Sequence, residues 1–102
     1  MRFFCIGDAD TTAGFRLAGV TVRVAMTPEQ TRAAVEEAAA LPEYGVIIIT
    51  EGLADGIRPY IETVRRERER PLIVEVPGPE GPLPGRKTLR EFVQEAVGMR
   101  IS

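Results

Sequence analysis

The sequence lacks several residues on which common catalytic and metal sites depend. Its 102 residues include no histidine, one cysteine (Cys5) and one lysine (Lys87). Without histidine, zinc sites and Ser-His or Cys-His nucleophile systems are effectively excluded, and the commonest general base is missing. A single cysteine permits no internal disulfide. Because Cys5 lies in a short apolar run, we expect a small buried side chain rather than a reactive thiol.

The chain also lacks a strong charge of either sign and any long hydrophobic run. The formal net charge is −2 and the pI is near 5.2, which gives no electrostatic reason to expect nucleic acid or an anionic membrane as a partner. No apolar run approaches the roughly 18–20 residues of a transmembrane helix, and the apolar stretch at the start is too short for a signal peptide. We expect a cytoplasmic chain of one domain, without membrane insertion.

Strand and helix signals alternate along the first three quarters of the sequence. Apolar or β-branched runs at residues 2–6, 20–24, 46–49 and 72–76 predict four strands. The run at 46–49 is apolar on both faces, which is typical of a central strand in a parallel sheet. The first helix is expected over residues 11–18, before Gly19.

The second and third helices are predicted from their caps and their apolar spacing. Thr27, Pro28 and Gln30 form a helix start with a capping box, and the inner face of that helix is expected to carry Ala34, Val35, Ala38 and Leu41. A further helical stretch is expected over roughly residues 53–70. Gly56 and Pro59 favour an irregular start for it near Ile57.

This order of elements predicts an α/β fold, a small four-stranded parallel sheet with helices on both faces. Right-handed crossovers favour the strand order 2-1-3-4 of Rossmann-like, flavodoxin-like and receiver-like sheets. We predict a globular α/β domain over residues 1–76, a Pro/Gly-rich linker over 77–87 and a C-terminal amphipathic helix over 88–102.

The linker and the last helix are the most informative part of the sequence. Seven of the nine residues in the range 77–85 are proline or glycine, so a loop or semi-rigid tether is expected there. The capping box at 88–91 then opens a helix whose apolar stripe consists of Leu89, Phe92, Val93, Ala96 and Val97. A helix of about ten residues is unstable alone in water. It therefore packs either on its own sheet or on another protein, and the sequence leaves both open.

Candidate chemistry is sparse. Asp8 and Asp10 follow the first strand, where open α/β sheets often bind ligands. They could hold Mg²⁺ as in a phosphoacceptor receiver, but the third and fourth strands end in Thr50-Glu51 and Val76-Pro77 instead of the acceptor Asp and the Lys that a receiver needs. Capping of the first helix is the favoured interpretation. No phosphate-binding glycine motif is present, and no cofactor or metal is expected.

Several blocks of the sequence, taken together, resemble the F subunit of the V-type and archaeal-type rotary ATPases. They lie in the same order and spacing at residues 6–8 with Asp10, 12–19, 45–51, 57–58 and 71–78, and the resemblance covers nearly the whole chain. Any one block alone would be weak. The motif residues to which the resemblance implies a structural role are Gly7, Asp8, Asp10, Gly14, Phe15, Gly19, Thr50, Glu51, Pro77 and Gly78.

The resemblance implies a part in a larger machine. The F subunit of this family is a small Rossmann-like globule with a C-terminal helical extension, bound to the coiled-coil rotor D subunit on the central stalk, inside the ring of catalytic A and B subunits. It contributes no catalytic residue. Its last helix is thought to move between the globule and the stalk, which implies that the stripe is a partner interface. A stand-alone receiver-like signalling module and a small α/β enzyme are the alternative functions.

Overall fold

A computed structural model describes residues 2–79 of the chain, which form four strands and four helices. All strands are parallel, in the order β2-β1-β3-β4, which confirms the predicted α/β fold and strand order. The elements are β1 (Arg2–Gly7), α1 (Ala9–Leu17), β2 (Thr21–Val24), α2 (Pro28–Ala39), β3 (Tyr44–Thr50), α3 (Glu51–Gly56), α4 (Arg58–Glu67) and β4 (Leu72–Val76). The C-terminal helix and most of the linker lie outside the described residues.

The helices are divided unequally between the two faces of the sheet. The larger core lies between the sheet and α2, α3 and α4, and is built from fully buried side chains such as Phe4, Ile47 and Ile61. The smaller core lies on the other face, where Phe15 of α1 packs against Cys5 and Ile48. Right-handed crossovers cause this division, because the chain moves one way from β1 to β2 and the opposite way through β3 to β4.

The ends of α1 and α2 follow from local chemistry. Gly19 adopts φ 86° just after α1, a left-handed conformation that glycine adopts without a steric penalty. The Thr27 side chain accepts a hydrogen bond from the Gln30 backbone N–H at 3.1 Å, and Gln30 Oε1 accepts one from the Met26 N–H at 2.8 Å. The predicted start of α2 is therefore confirmed, with the glutamine reaching one residue before the cap.

Two details of the helices differ from the prediction. α2 ends at Ala39, and Leu41 beyond it is 42 % exposed instead of facing the core. The stretch expected over 53–70 is two helices, and α3 begins at Glu51 without a side-chain cap. α4 ends at Glu67, and Arg68 is already extended. An extended approach to Pro71 fits the clash that disfavours helix before a proline.

Candidate partner-docking face

An apolar groove opens at the carboxyl edge of the sheet, between α1 and the segment that follows β4. Its volume is about 430 Å³. The lining residues are Asp10, Thr11, Gly14, Phe15, Val76, Pro77, Gly78 and Pro79. Five of the ten motif residues implied by the resemblance therefore meet in one place: Asp10, Gly14 and Phe15 from α1, with Pro77 and Gly78 from the start of the linker.

The sheet surface next to this groove is apolar and receives little cover from α1. We call it the β3–β4 face; its residues are Val46, Ile48, Leu72, Val74 and Val76. The pairing of Val46 with Leu72 and of Ile48 with Val74 places them on the side of α1, yet α1 packs mainly on β1 and β2. Burial on this face is graded, since Ile48 and Val76 are buried, Val46 and Val74 are half-buried and Leu72 is 60 % exposed.

The turn from β1 into α1 is held by Asp8. Its side chain caps the helix, accepting hydrogen bonds from the Thr11 backbone N–H at 3.0 Å and from the Thr11 hydroxyl at 2.6 Å. Partial burial acts to raise the pKa of Asp8, but hydrogen bonds, mainly from the side chain and backbone of Thr11, outweigh it and hold the pKa below its ordinary value. Asp10 is exposed in the first helical turn, where its charge favours the helix dipole. The capping interpretation is therefore confirmed for Asp8, whereas Asp10 contributes only its charge in the first turn.

Three of the remaining motif residues, Gly7, Thr50 and Glu51, lie at the carboxyl ends of β1 and β3. A Cβ on Gly7 would lie 3.2 Å from the Thr50 methyl group, so the glycine permits close contact between the ends of β1 and β3. Thr50 is 5 % exposed and Glu51, the first residue of α3, is 2 % exposed. Gly19 lies at the opposite end of α1 and takes no part in the groove.

β4, which carries much of the β3–β4 face, is fixed from its other side by an ionic cluster. Arg58 donates two hydrogen bonds to the Glu75 carboxylate, at 2.6 and 2.8 Å, and Arg65 lies 3.1 Å from the same group. The hydrogen bond from Arg58 is the main reason that the pKa of Glu75 is lowered, against the opposing effect of burial. Arg65 also donates to the Ile73 carbonyl at 2.9 Å, so Arg58 and Arg65 together hold β4 in place.

Residues 2–79 show no group of three or more acidic or thiol side chains that could hold a metal ion. Cys5 is fully buried in the smaller core. Burial, with a smaller effect from the Asp8 charge, raises the pKa of its thiol to about 11, so the thiolate that would react is strongly disfavoured. This agrees with the expectation of a small buried side chain.

The sequence matches the family described as the ATP synthase (F/14-kDa) subunit over residues 4–93. The chain belongs to this family. Within it, the F subunit of the A-type ATP synthase from Methanococcus vannielii is 41 % identical over 103 residues, covering 99 % of both chains. The corresponding A-type F subunit from Thermococcus kodakarensis is 37 % identical over 106 residues, covering 99 % of this chain and 98 % of that one.

A solved structure agrees with this family assignment. The F subunit of the V-type ATP synthase from Archaeoglobus fulgidus superposes with a TM-score of 0.65 at 28 % identity, covering 74 % of this chain and 95 % of that chain. The resemblance noticed in the motif blocks is thereby confirmed, and this family member is an F subunit of an A/V-type ATP synthase. Across residues 2–79, every helix is too short or too polar to cross a bilayer.

The resemblance named five of the groove residues without placing them in a groove, and the β3–β4 face was missed. The apolar residues at 72, 74 and 76 share one side of a strand, and that alternation signals an apolar strand face. It does not tell which helix covers the face, because cover depends on where α1 crosses the sheet. The uneven division of helices is therefore a finding of the structure alone.

Proposed function

We propose that this F subunit is a non-catalytic part of the central stalk, docked on the coiled-coil rotor D subunit. In that position it would turn inside the ring of A and B subunits and help to couple ATP synthesis or hydrolysis to proton or sodium transport. It would be cytoplasmic and peripheral to the membrane. The supporting observation is the family membership, together with an apolar groove and sheet face that α1 covers little.

The C-terminal stripe is the second half of this proposal. Leu89, Phe92, Val93, Ala96 and Val97 lie in the part of the chain that follows Pro79, and Pro79 itself lines the groove. A predicted helix of about ten residues needs a packing partner, and burial of each large side chain is worth about 1.5–3 kcal/mol. We infer that the stripe is a movable face that packs on the groove in one state and along the stalk, towards the A and B subunits, in another.

A rotor part of this kind needs stiffness as well as an interface. The larger core of the globule packs against the four parallel strands, with side chains such as Phe4, Ile6 and Ile47 fully buried, and protein interiors of that kind deform little. An amphipathic helix laid against other helices is a common mode of recognition. A stiff globule with one tethered helix would therefore combine a fixed support with a regulatory contact.

The test is to express the chain with an affinity tag in its source cells and to identify by native mass spectrometry what is recovered with it. We expect a stoichiometric complex that contains a long coiled-coil subunit and two large ATPase subunits. A clean monomer, under conditions that preserve large assemblies, would reject the stalk proposal and favour the receiver-like module.

A further inference from the structure

The amino-terminal edge of the sheet carries an exposed apolar row. The row consists of Phe3, Val46 and Leu72, which pair directly across β1, β3 and β4. Phe3 is 45 % exposed, Leu72 is 60 % exposed and Val46 between them is half-buried. With neighbouring strands about 4.8 Å apart, the two outer residues stand about 10 Å from each other.

The exposure of this row contrasts with the residues one step along the same strands. Cys5 and Ile48, two residues beyond Phe3 and Val46, are 0 % and 8 % exposed. The sheet therefore closes its apolar surface towards the carboxyl edge and leaves it open at the amino edge. Clustered exposed apolar side chains on a small protein commonly mark an interaction surface.

Arginines surround the open end of the row. Leu72 helps to line a cavity of about 400 Å³ between the end of α4 and the start of β4, together with Arg66 and Arg68. Arg66, Arg68 and Arg70 are exposed, and none forms an ion pair within residues 2–79. The loops and last helical turns at the amino edge carry six exposed arginines, Arg2, Arg16, Arg65, Arg66, Arg68 and Arg70, and five exposed glutamates, Glu36, Glu37, Glu43, Glu67 and Glu69. Of the arginines, Arg2 and Arg65 are in ion pairs with glutamates.

At the opposite, carboxyl edge of the sheet, three of the four helices within residues 2–79 begin with an acid in the first turn, and α4 begins with Arg58. The first turns of α1, α2 and α3 contain Asp10, Glu29 and Glu51. Acids at helix starts and arginines at helix ends both favour the helix dipoles, which accounts for part of the polarity. The dipole gives no reason for two large apolar side chains to lie exposed beside the arginines. An apolar centre with an arginine rim is the usual anatomy of a protein interface.

We propose that the amino-edge row is the surface through which the globule rests on the coiled coil, against a helical patch whose apolar side chains are flanked by acids. This rests on the proposed stalk function and adds the contact face to it. The groove that we assign to the C-terminal stripe lies at the carboxyl edge. The globule can then stay attached to the rotor while the C-terminal helix moves.

The experiment measures binding of the full chain to the purified coiled-coil D subunit of the same synthase. The test variant is the double substitution Phe3→Ser with Leu72→Ser. The matched control is Val24→Ser with Met26→Ser, since these side chains are 43 % and 82 % exposed and lie at the carboxyl end of β2, away from the row. We expect the row variant to bind at least about tenfold more weakly, and the control to stay within about twofold of wild type.

A second variant tests the rim. Arg68→Glu with Arg70→Glu should weaken binding and reduce its dependence on salt between about 0.05 M and about 0.5 M. A purely structural role of these arginines would not change the salt dependence. Unchanged affinity and salt dependence in this variant would remove the acidic partner patch from the proposal.

Thermal unfolding of the same full-length variants separates the possible occupants of the row. Weaker binding with an unchanged unfolding temperature supports the proposal. Unchanged binding of the row variant overturns it. A loss of thermal stability as large as for a core substitution also overturns it, because the chain's own C-terminal segment would then cover the row. If the wild-type chain fails to bind the coiled-coil partner at all, the stalk proposal itself fails.

Discussion

The Arg58 guanidinium and the Glu75 carboxylate form a bidentate pair across α4 and β4, with hydrogen bonds of 2.6 and 2.8 Å. The side chain of Glu75 is only 14 % exposed, so water screens the pair less than an exposed ion pair. We predict that Glu75→Gln costs about 1–3 kcal/mol of unfolding free energy at neutral pH, because charge-assisted hydrogen bonds are lost. Urea unfolding measures this.

A control for this prediction is an ion pair at β2, the edge strand on the other side of the sheet from β4. Glu37 pairs with Arg23 through exposed side chains, and exposed ion pairs are worth about 0–1 kcal/mol. Glu37→Gln should therefore cost less than Glu75→Gln. Equal losses for the two variants would show that the buried pair does not hold β4 as described.

The lowered pKa of Glu75 also predicts a pH dependence. A carboxyl group whose folded-state pKa is depressed contributes stability that is present above the unfolded-state pKa and lost as the pH falls through the folded-state pKa. The ordinary pKa is 4.5 and the folded value lies below it, so this contribution should fade on acidification below about pH 4.5. Stability measured against pH should fall less steeply for Glu75→Gln than for wild type. Parallel curves would contradict the assignment.

Gly7 offers a test of the close contact between β1 and β3. A Cβ at this position would lie 3.2 Å from the Thr50 methyl group and 3.5 Å from Thr11, so Thr50 has to shift. We predict that Gly7→Ala destabilises the chain by about 1–3 kcal/mol. Gly52→Ala is the matched control, because a Cβ there meets nothing within 4 Å and alanine favours helix over glycine by about 1 kcal/mol. The unfolding temperature should fall for Gly7→Ala and rise for Gly52→Ala.

Asp8 should be essential as a cap rather than as a metal ligand. We predict that Asp8→Ala costs about 0.5–2 kcal/mol, whereas Asp8→Asn keeps most of the stability because asparagine caps helices equally well. Chemical denaturation of both variants, with and without Mg²⁺, provides the measurement. A Mg²⁺-dependent rise in the stability of wild type that both variants lose would contradict the capping role.

Much of the fold was predictable because local signals agreed with the global topology. The cap at Thr27 and Pro28, the glycine at position 19 and the apolar run at 46–49 each indicated one element, and the structure confirms all three. Leu41 was placed wrongly because helical spacing alone does not show where a helix ends. The start of α3 at Glu51 was missed because Thr50 provides no side-chain hydrogen bond as a cap.

The candidate site was only partly predictable, for a different reason. The motif residues Phe15 and Pro77 are far apart in sequence, and nothing local indicates that they line one groove. Likewise, the exposure of Phe3 and Leu72 depends on strand pairing and on the position of α1. Composition would place both residues in a core, since large apolar side chains are usually buried. Tertiary arrangement therefore decides which apolar residues remain available to a partner.

The last prediction concerns Phe92, the largest side chain of the C-terminal stripe, which lies outside the described residues. If the stripe is a movable partner face, Phe92→Ala should change the ATPase regulation of the assembled synthase, or its affinity for the stalk, more than it destabilises the globule. The reason is that residues 2–79 by themselves supply four paired strands and a core of buried side chains.

Ile61 is the matched core position for this comparison, since its side chain is 0 % exposed. Ile61→Ala should cost about 2–5 kcal/mol in urea unfolding, and Phe92→Ala clearly less. ATPase rates of complexes assembled with each variant complete the comparison. A loss of about 2–4 kcal/mol for Phe92→Ala, as for a core residue, with unchanged ATPase behaviour would place the stripe permanently in the globule. The movable helix would then have no support, because a face that is always buried in its own domain is not free to bind another protein of the complex.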